Sequence, residues 1–267
     1  MAIISEKYLA GLIDSDGGIT FTKVKQGCKP GLILSIYQRE DKASVLSDVQ
    51  KTFGGTLVKR ERTTERNPNP SLHWYVCASN AVALMQRLDK FLVIKRDYFR
   101  WAIEICSKQL ESSTSEFNKQ RKEKRNTRSS MEPNFPTRKW LAGYFDGDGT
   151  LSVSHVNADN TAILRFGITC HKNDCIGIDI IQKNFGGHRN ETSVGKTCWQ
   201  WTLYLSKSNC GAGMKFIDYF SRHCIIKQDQ WLAVRQYLNS ELKDGSLLDS
   251  KLRAAKAPPA ETKSTNL

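Results

Sequence analysis

Two short acidic turns contain the residues best suited to chemistry. Their sequences are Asp14-Ser15-Asp16-Gly17 and Asp146-Gly147-Asp148-Gly149, and each follows a run of apolar and small residues typical of a helix. The carbonyls at a helix C-terminus are unpaired and carry partial negative charge. If the two helices pack side by side in the same sense, Asp16 and Asp148 converge with those carbonyls. Such hard oxygen ligands suit Mg²⁺, which readily shares its coordination with phosphate oxygens.

The simpler interpretation of an Asp-Gly turn is that it ends a helix, and one isolated copy would favour it. Two copies at matching positions in a basic chain favour a metal site instead. Small residues in each helix, Ala10-Gly11 and Ala142-Gly143, predict that the two helices pack closely along these faces. Asp14 and Asp146 lie about 200° around the helix from the final acids, so we interpret them as structural residues or as residues that support the metal ligands without binding the metal.

The repeat extends beyond the acidic turns. The offset between 16 and 148 is 132 residues, and it also carries Leu9 onto Leu141 and Lys95 onto Lys227. The same offset carries the Phe-Gly-Gly sequence that begins at Phe53 onto the one that begins at Phe185. The chain is therefore expected to consist of two matched half-domains. The predicted division is a first half over 1–111, a basic flexible linker over 112–137, a second half over 138–250 and a disordered tail over 251–267.

Each half-domain shows the pattern of a mixed helix and sheet unit. Ser5 is a plausible N-cap for the first helix, and the Gly-Gly pairs are expected to end the second helix of each half. Residues 19–22 and 151–154 alternate apolar and hydroxyl-bearing side chains, which predicts half-buried strands with one open polar face. The predicted order in each half is αββαββα, an α+β fold with pseudo-twofold symmetry, and the open faces are where a ligand could lie.

The overall charge favours a polyanionic partner. Lys and Arg number 40 against 27 Asp and Glu, for a formal net charge of +13 and a pI near 9.4. We find neither a secretory leader nor an apolar run near the length of a membrane span, so we expect a soluble intracellular protein without a membrane partner. Cys170, His171 and Cys175 hint at zinc, but the second tight ligand pair of a structural zinc site is missing.

Both nine-residue motifs, Leu9-Ala-Gly-Leu-Ile-Asp-Ser-Asp-Gly17 and Leu141-Ala-Gly-Tyr-Phe-Asp-Gly-Asp-Gly149, resemble the signature of LAGLIDADG homing endonucleases of the single-chain, two-motif type. The resemblance covers both halves and leaves out the linker and tail. It implies a monomeric pseudo-dimer whose two four-stranded saddles bind a long asymmetric double-stranded DNA target. It also implies Mg²⁺-dependent cleavage of both strands across the minor groove, leaving 3′ overhangs, in support of intron or intein mobility. Mn²⁺ or Ca²⁺ would be expected to occupy the same sites experimentally, and an organelle or the bacterial cytoplasm would be the expected location.

By position in the motif, the resemblance assigns the metal to Asp16 and Asp148, with the backbone carbonyls of Ser15 and Gly147 as further ligands. The family's basic residue before the final helix matches Lys95 and Lys227, which could stabilise developing negative charge or organise the attacking water. The family's water-positioning glutamine matches Gln38. Its counterpart is Cys170, which cannot supply the paired donor and acceptor of an amide. We therefore predict unequal active sites and different cleavage rates for the two strands.

A two-stranded ribbon with short polar side chains fits the major groove, and basic side chains can add guanine or phosphate contacts. The residues predicted to contact DNA are Thr20, Thr22, Lys29, Ser35, Lys59, Arg60 and Arg62 in the first half and Thr150, Ser152, Ser154, Arg165 and Arg189 in the second. The register of the third strand, which carries the residues from Lys59 to Arg62, stays open at this point. The four tryptophans of the strands and final helix, Trp74, Trp199, Trp201 and Trp231, are predicted to lie in the core.

Two other functions are compatible with the pattern. The first is a group I intron RNA maturase that uses the same fold to bind RNA, with or without cleavage of DNA, and the second is a DNA-binding regulator with idle acids. The presence of Asp16, Asp148, Lys95 and Lys227 together favours cleavage, because RNA binding does not require that set.

Overall fold

The structure is a computed structural model that describes residues 4–22, 24–40, 44–60, 70–111, 113–126, 137–192, 197–206, 210–239, 241–242 and 244–255. The elements of the first half are α1 Glu6–Asp16, β1 Gly17–Thr22, β2 Gly31–Arg39, α2 Ser44–Phe53, β3 Thr56–Arg60, β4 Ser71–Cys77, α3 Ala78–Leu88, α4 Arg96–Ser107 and α5 Thr114–Asn126. Those of the second half are α6 Arg138–Asp148, β5 Gly149–Val156, β6 Ala162–His171, α7 Ile176–Phe185, β7 His188–Glu191, β8 Cys198–Leu205, α8 Cys210–Ser221, α9 Gln228–Leu238 and α10 Gly245–Ala254. A search of the described residues for a helix long and apolar enough to cross a membrane found none.

Each half contains one antiparallel four-stranded sheet, in the order β1-β2-β4-β3 and β5-β6-β8-β7. The two sheets have the same strand order, as the internal repeat predicts. One face of each sheet packs on the helices, and its strands contribute alternate buried residues such as Ile19 and Phe21 of β1. The predicted two-half α+β fold is confirmed, including the N-cap at Ser5, whose hydroxyl accepts from the Tyr8 amide.

The Phe-Gly-Gly turns have the same structure in both halves. Gly54 and Gly55 have φ of 73° and 90°, and Gly186 and Gly187 have φ of 71° and 90°, a region that favours glycine over other residues. The indoles of two buried tryptophans donate to the first glycine carbonyl of each turn, at 2.9 Å in the first half and 2.8 Å in the second. These tryptophans, Trp74 and Trp201, are thus structural equivalents.

The motif helices α1 and α6 pack against each other at backbone contact. A Cβ atom placed on Gly11 would lie 2.0 Å from the Trp140 carbonyl oxygen, and one on Gly143 would lie 2.1 Å from the Tyr8 carbonyl oxygen. Only glycine fits at either position without moving a backbone. The predicted close packing through small residues is confirmed, and it fixes the two halves relative to each other.

Two segments predicted to lack structure contain docked helices. Residues 112–137 were expected to form a flexible linker, but 114–126 form α5, whose Phe117 is fully buried against Phe21 and Trp101. The tail beyond 250 was expected to be disordered, but α10 extends to residue 254 with Leu248 and Leu252 buried. The prediction followed the polar composition of these segments, whereas a few apolar anchors packed on a finished domain are enough to hold a helix.

Candidate active site and nucleic-acid interface

Asp16 and Asp148 meet at the C-terminal ends of α1 and α6. The helices are so close there that a Cβ atom on Gly147 would lie 2.0 Å from the Ser15 hydroxyl oxygen and 2.9 Å from Oδ2 of Asp16. A side chain at position 147 would therefore displace the side chain of Ser15. Both acids are half-buried, so they line a partly enclosed site.

The electrostatics of the acid pair are uneven. Burial, followed by the neighbouring charge of Asp16, raises the pKa of Asp148 to about 7. Burial also raises the pKa of Asp16, but the charge of Lys227 and a hydrogen bond from Gln38 oppose this rise. Two carboxylates confined together at the negative ends of two helices favour a cation between them. The donor set consists of hard oxygens and therefore fits Mg²⁺.

The first aspartate of each motif holds the loop that precedes a later helix of its own half, α4 in the first half and α9 in the second. The carboxylate of Asp14 accepts from the amides of Val93 and Lys95 at 2.8 and 2.9 Å. Asp146 accepts in the same way from the amides of Ile225, Ile226 and Lys227, at 2.5, 3.0 and 3.1 Å. Both acids are buried. The interpretation of these two aspartates as structural residues is confirmed.

Each of these structural acids also accepts a hydrogen bond from the opposite half. The Tyr8 hydroxyl donates to Oδ2 of Asp146 at 2.7 Å, and the Trp140 indole donates to Oδ2 of Asp14 at 2.9 Å. Tyr8 and Trp140 occupy equivalent positions in the repeat. The two bonds therefore form a reciprocal pair across the contact between α1 and α6, which we call the seam. Because these acids also position the lysine loops, the packing of the halves is coupled directly to the geometry of the site.

The ammonium group of Lys95 lies at the end of α1 and makes three hydrogen bonds there. Its Nζ donates to the carbonyls of Ile13, Ser15 and Gly17 at 2.8, 2.9 and 2.7 Å. The group therefore satisfies carbonyls that a helix end would otherwise leave unpaired. Burial lowers the pKa of Lys95, and nearby carboxylates oppose that effect. The Ser15 carbonyl, a predicted metal ligand, is one of these acceptors.

Lys227 occupies the equivalent place at the end of α6. It is buried, and its Nζ donates to the carbonyls of Phe145, at 3.0 Å, and Asp146. Apart from the two structural aspartates, Asp148 is the acid that acts most strongly on the pKa of Lys95, and Asp16 is the one that acts most strongly on that of Lys227. Lys95 also lines a cavity with Asp148, and Lys227 lines one with Asp16, so each lysine is associated with the last motif acid of the opposite half.

Two cavities flank the acid pair and are related by the repeat. The first, which we call the Asp16 cavity, is lined by Asp16, Gln38, Arg39, Asp146, Gly147, Gly149, Thr150, Lys227 and Gln230. The second, which we call the Asp148 cavity, is lined by Asp148, Cys170, His171, Gly17, Gly18, Lys95 and Tyr98, together with further residues that include Asp16 and Asp174. The offset of 132 carries Gln38 onto Cys170 and Tyr98 onto Gln230. The cavities are thus two versions of one site.

The position predicted to hold a water-positioning glutamine differs between the cavities. Gln38 donates from Nε2 to Oδ2 of Asp16 at 2.5 Å, so it orients this carboxylate directly. Cys170 instead points its thiol at Cys175, with the two sulfurs 3.8 Å apart. Within the described residues, no cluster of three or more His, Cys, Asp or Glu side chains could hold a metal ion. Cys170 and Cys175 are both free thiols.

The structure fixes which predicted DNA contacts lie on the open face of the first sheet. Thr20, Thr22 and Arg60 lie there exposed, and Lys29 is exposed in the β1–β2 turn. Ser35 is on the same face but is buried. Two predicted residues do not join them: Arg62 lies outside the described residues, and Lys59 alternates to the other face.

Lys59 was predicted to contact DNA, but it lies on the helix-facing side of the sheet because β3 pairs with β4 in a register that places Leu57 and Lys59 opposite the core-facing Trp74 and Leu72. Lys59 there forms an ion pair with Glu40 at 2.8 Å. The sequence did not fix this register, since the strand has no strict alternation of apolar and polar residues.

In the second sheet, Thr150, Ser152 and Arg165 lie on the open face, and Ser154 is exposed at a bulge in β5. Arg189 does not. It pairs in register with the buried Trp201, forms an ion pair with Asp179 of α7 at 2.6 Å and packs over the Trp199 ring. Arg189 was also predicted to contact DNA, but like Lys59 it is turned toward the helices by the register of its strand.

Sequence reasoning missed much of the open faces. Residues of these faces that it did not single out include Tyr37, Thr56, Val58, His73 and Tyr75 in the first sheet and Thr169, His188, Asn190, Gln200, Thr202 and Tyr204 in the second. Tyr37 and His73 stack with ring centroids 3.9 Å apart, and the Arg60 guanidinium lies over Tyr37. Trp74, Trp201 and Trp231 are fully buried as predicted, whereas Trp199 is half-buried. The alternation that starts from the buried tryptophans of β4 and β8 could have identified these residues.

Fold and site together define a two-domain α+β protein with a shared acidic centre between two open sheets. The LAGLIDADG endonuclease family model matches residues 141–230 of the chain. The crystal structure of the LAGLIDADG homing endonuclease I-GzeII in complex with its DNA target covers 94% of this chain and 97% of that one, with a TM-score of 0.67 and 18% identity. For I-SmaMI bound to cleaved DNA the coverage is 94% and 95%, with a TM-score of 0.64 and 18% identity. The chain therefore has the fold of the single-chain LAGLIDADG homing endonucleases, and its second half matches the family in sequence.

Two further comparisons concern sequence and metal. An uncharacterized cox1 intron-2 protein of 37.2 kDa from Schizosaccharomyces pombe is 25% identical over 129 residues, which is 48% of this chain and 38% of that relative. The matched region thus spans well under half of the relative. I-SmaMI has also been crystallised on an uncleaved DNA target in the presence of calcium ions, and that structure has a TM-score of 0.62 and 19% identity to this chain.

Proposed function

We propose that the chain is a site-specific double-stranded DNA endonuclease that hydrolyses one phosphodiester in each strand. The observation that carries this proposal is the meeting of Asp16 and Asp148 at the seam of α1 and α6, with a lysine ammonium group at the end of each helix. One acid pair shared by two equivalent cavities suits a substrate with two reacting bonds. The related I-GzeII and I-SmaMI folds, both determined with DNA, support the same class of substrate.

DNA would lie across the two open sheet faces. The net charge of +13 favours a polyanion, and the exposed faces carry Thr20, Arg60, Ser152 and Arg165 among polar and aromatic neighbours. Contacts to phosphates would release counterions and make binding strongly dependent on salt. We propose that the two faces read different half-sites, because their exposed side chains differ at nearly every position, and that the target is accordingly long and asymmetric.

Asp16 and Asp148 would hold Mg²⁺, with the carbonyls of Ser15 and Gly147 as further ligands. Bound there, the metal would supply charge compensation for the phosphate and a more acidic water. The protein side chains have separate tasks. Gln38 holds one carboxylate of the pair in a fixed orientation through its amide. Lys95 and Lys227 neutralise the helix-end carbonyls and so keep the potential of the site favourable for an approaching phosphate.

The finer details of the proposal follow the resemblance. Cleavage would occur across the minor groove and leave 3′ overhangs, with the protein acting as a monomer. The biological outcome would be mobility of an intron or intein. The intron-encoded relative from Schizosaccharomyces pombe supports an association with introns.

The test is cleavage of a supercoiled plasmid that carries the joined DNA flanks of the element encoding the chain. With Mg²⁺, the wild-type protein should linearise the plasmid, and Asp16→Asn and Asp148→Asn should each lose at least about a thousandfold in rate, which is about 4 kcal/mol in the barrier. Asp218→Asn, a matched substitution in α8 away from the site, should cut normally. Unchanged cutting by both site variants would refute the metal assignment. Tight binding of the intron RNA without any DNA cleavage would instead favour a maturase.

A further inference from the structure

The Asp148 cavity contains two arginines from a helix outside either repeat. Arg121 and Arg125 of α5 line this cavity of about 460 Å³ together with Asp148, Lys95 and Tyr98. The helix belongs to the segment expected from its composition to be a solvated linker. Its position therefore adds two guanidinium groups to the site. The two nine-residue motifs did not predict these groups.

Several contacts hold α5 in place. Phe117 is fully buried and packs on Phe21 and Trp101. At the start of the helix, the Thr114 hydroxyl donates to the Val24 carbonyl at 3.2 Å. Residues four apart lie on one side of a helix, so the anchor at position 117 directs positions 121 and 125 toward the same side. The arginines are thus positioned by packing.

Within the part of the chain that the structure describes, no hydrogen bond or ion pair is recorded for Arg121 or Arg125. Burial raises the pKa of Tyr98, and the two guanidinium groups oppose that rise, which places their charge beside the cavity wall. The cations that act most strongly on Asp148 are the lysines, Lys95 and Lys227. The arginines are therefore available to an anion that enters the cavity.

The equivalent Asp16 cavity has no such helix. Among its lining residues none comes from α10, the helix that follows the second repeat as α5 follows the first. The offset of 132 carries 121 onto Arg253, which forms an ion pair with Asp249 of its own helix at 2.7 Å. One guanidinium group, that of Arg39 in β2, lines the Asp16 cavity, so the two cavities differ in the number and the origin of their arginines.

We infer that Arg121 and Arg125 bind backbone phosphates of the DNA strand that is cut in the Asp148 cavity. Guanidinium groups bind phosphate oxygens through paired hydrogen bonds and are the preferred side chains for this contact. The inference rests on the proposed function, because it assigns substrate contacts within the same site. It also gives the cavity that lacks the glutamine a means of its own to position the scissile strand.

The experiment measures the nicking rate of each strand separately, on the plasmid described above with Mg²⁺ and enzyme in excess. Arg121→Ala/Arg125→Ala should slow one strand at least about tenfold, the scale of losing a charge-assisted hydrogen bond. Gln38→Ala should slow the other strand. With Ca²⁺ in place of Mg²⁺, the slope of log Kd against log salt should fall by about 2 for the double arginine variant, close to one unit for each lost phosphate contact.

Two further variants control for charge and folding. Lys119→Ala/Lys122→Ala removes the same charge from exposed positions of α5 that do not line the cavity, and it should leave the ratio of the two nicking rates unchanged. Arg121→Lys/Arg125→Lys keeps the charge and should recover part of the lost rate. The inference is overturned if Arg121→Ala/Arg125→Ala slows both strands equally or slows the same strand as Gln38→Ala. It is also overturned if this variant leaves the ratio of the two nicking rates unchanged, as Lys119→Ala/Lys122→Ala should. If the wild-type protein nicks neither strand, the proposed function itself fails.

Discussion

The two cavities beside the acid pair share one framework and differ in the groups around it. In each, a motif helix supplies an acid, and the ammonium group of a lysine lies at a helix end. Beyond that framework, the Asp16 cavity has Gln38 oriented on its carboxylate, whereas the Asp148 cavity has Cys170 turned toward a second thiol. Only the Asp148 cavity receives the arginines of α5.

The difference teaches which parts of the site are constrained by packing. Asp14 and Asp146 hold the lysine loops and also accept buried hydrogen bonds from Trp140 and Tyr8 of the opposite half. A change there therefore disturbs both halves at once. The residues at positions 38 and 170 lie at strand ends, where a substitution alters one cavity alone. The two strands of a double-stranded substrate would therefore meet the same metal ligands and unequal surroundings.

The largest effect should come from breaking the shared framework. Gly11→Ala and Gly143→Ala each force a Cβ atom against a backbone carbonyl of the partner helix, which we expect to lower the free energy of unfolding by at least about 3 kcal/mol. Thermal denaturation would measure the loss, with Gly18→Ala, whose Cβ meets nothing within 4 Å, as the control. Similar losses from the two seam glycines would confirm the symmetry of the seam, and a loss confined to one would contradict it.

A smaller effect should come from making the two cavities alike. Gln38→Cys removes the amide that orients Asp16, and we expect it to slow nicking of one strand roughly tenfold, the value of one good hydrogen bond. The other strand should keep its rate, so the ratio of the two rates changes. Equal nicking rates in the wild-type protein would contradict the predicted inequality of the sites.

The smallest expected effect concerns pH and the uneven electrostatics of the acids. A pKa raised in the folded state means that the fold binds the proton more tightly than the unfolded chain. Asp148 therefore costs stability as pH rises from 3.8 to about 7. Without divalent metal at pH 8, Asp148→Asn should raise the melting temperature by about 2 to 4 °C, allowing for solvent screening.

The control for that prediction is the other acid. Asp16→Asn should give a smaller rise, because the charge of Lys227 and the hydrogen bond from Gln38 already stabilise this carboxylate. About one unit or more below pH 3.8, both variants should melt near the wild-type temperature, since the carboxyls are then largely protonated in the folded and unfolded states alike. Equal rises at pH 8 would show that the two acids are equivalent.

Much of the site could be predicted from the sequence, because its residues belong to a repeat with a fixed offset. Asp16, Asp148, Lys95 and Lys227 lie within local motifs, and their equivalence is visible without any coordinates. The residues of the open sheet faces were predicted less well. Lys59 and Arg189 lie in short strands whose register depends on the neighbouring strand, and a shift of one residue moves a side chain to the opposite face.

The sequence by itself determined the two halves, the small residues of the seam and the acids at the ends of the motif helices, because each follows from spacing and side-chain size along one segment. Tertiary structure alone decided that Asp14 and Asp146 bond across the seam, that each lysine is associated with the acid of the opposite half, and that α5 brings Arg121 and Arg125 to one cavity. These arrangements join residues far apart in the chain, so they depend on how finished elements pack. Composition described α5 as a linker, and the burial of Phe117 made it part of the site.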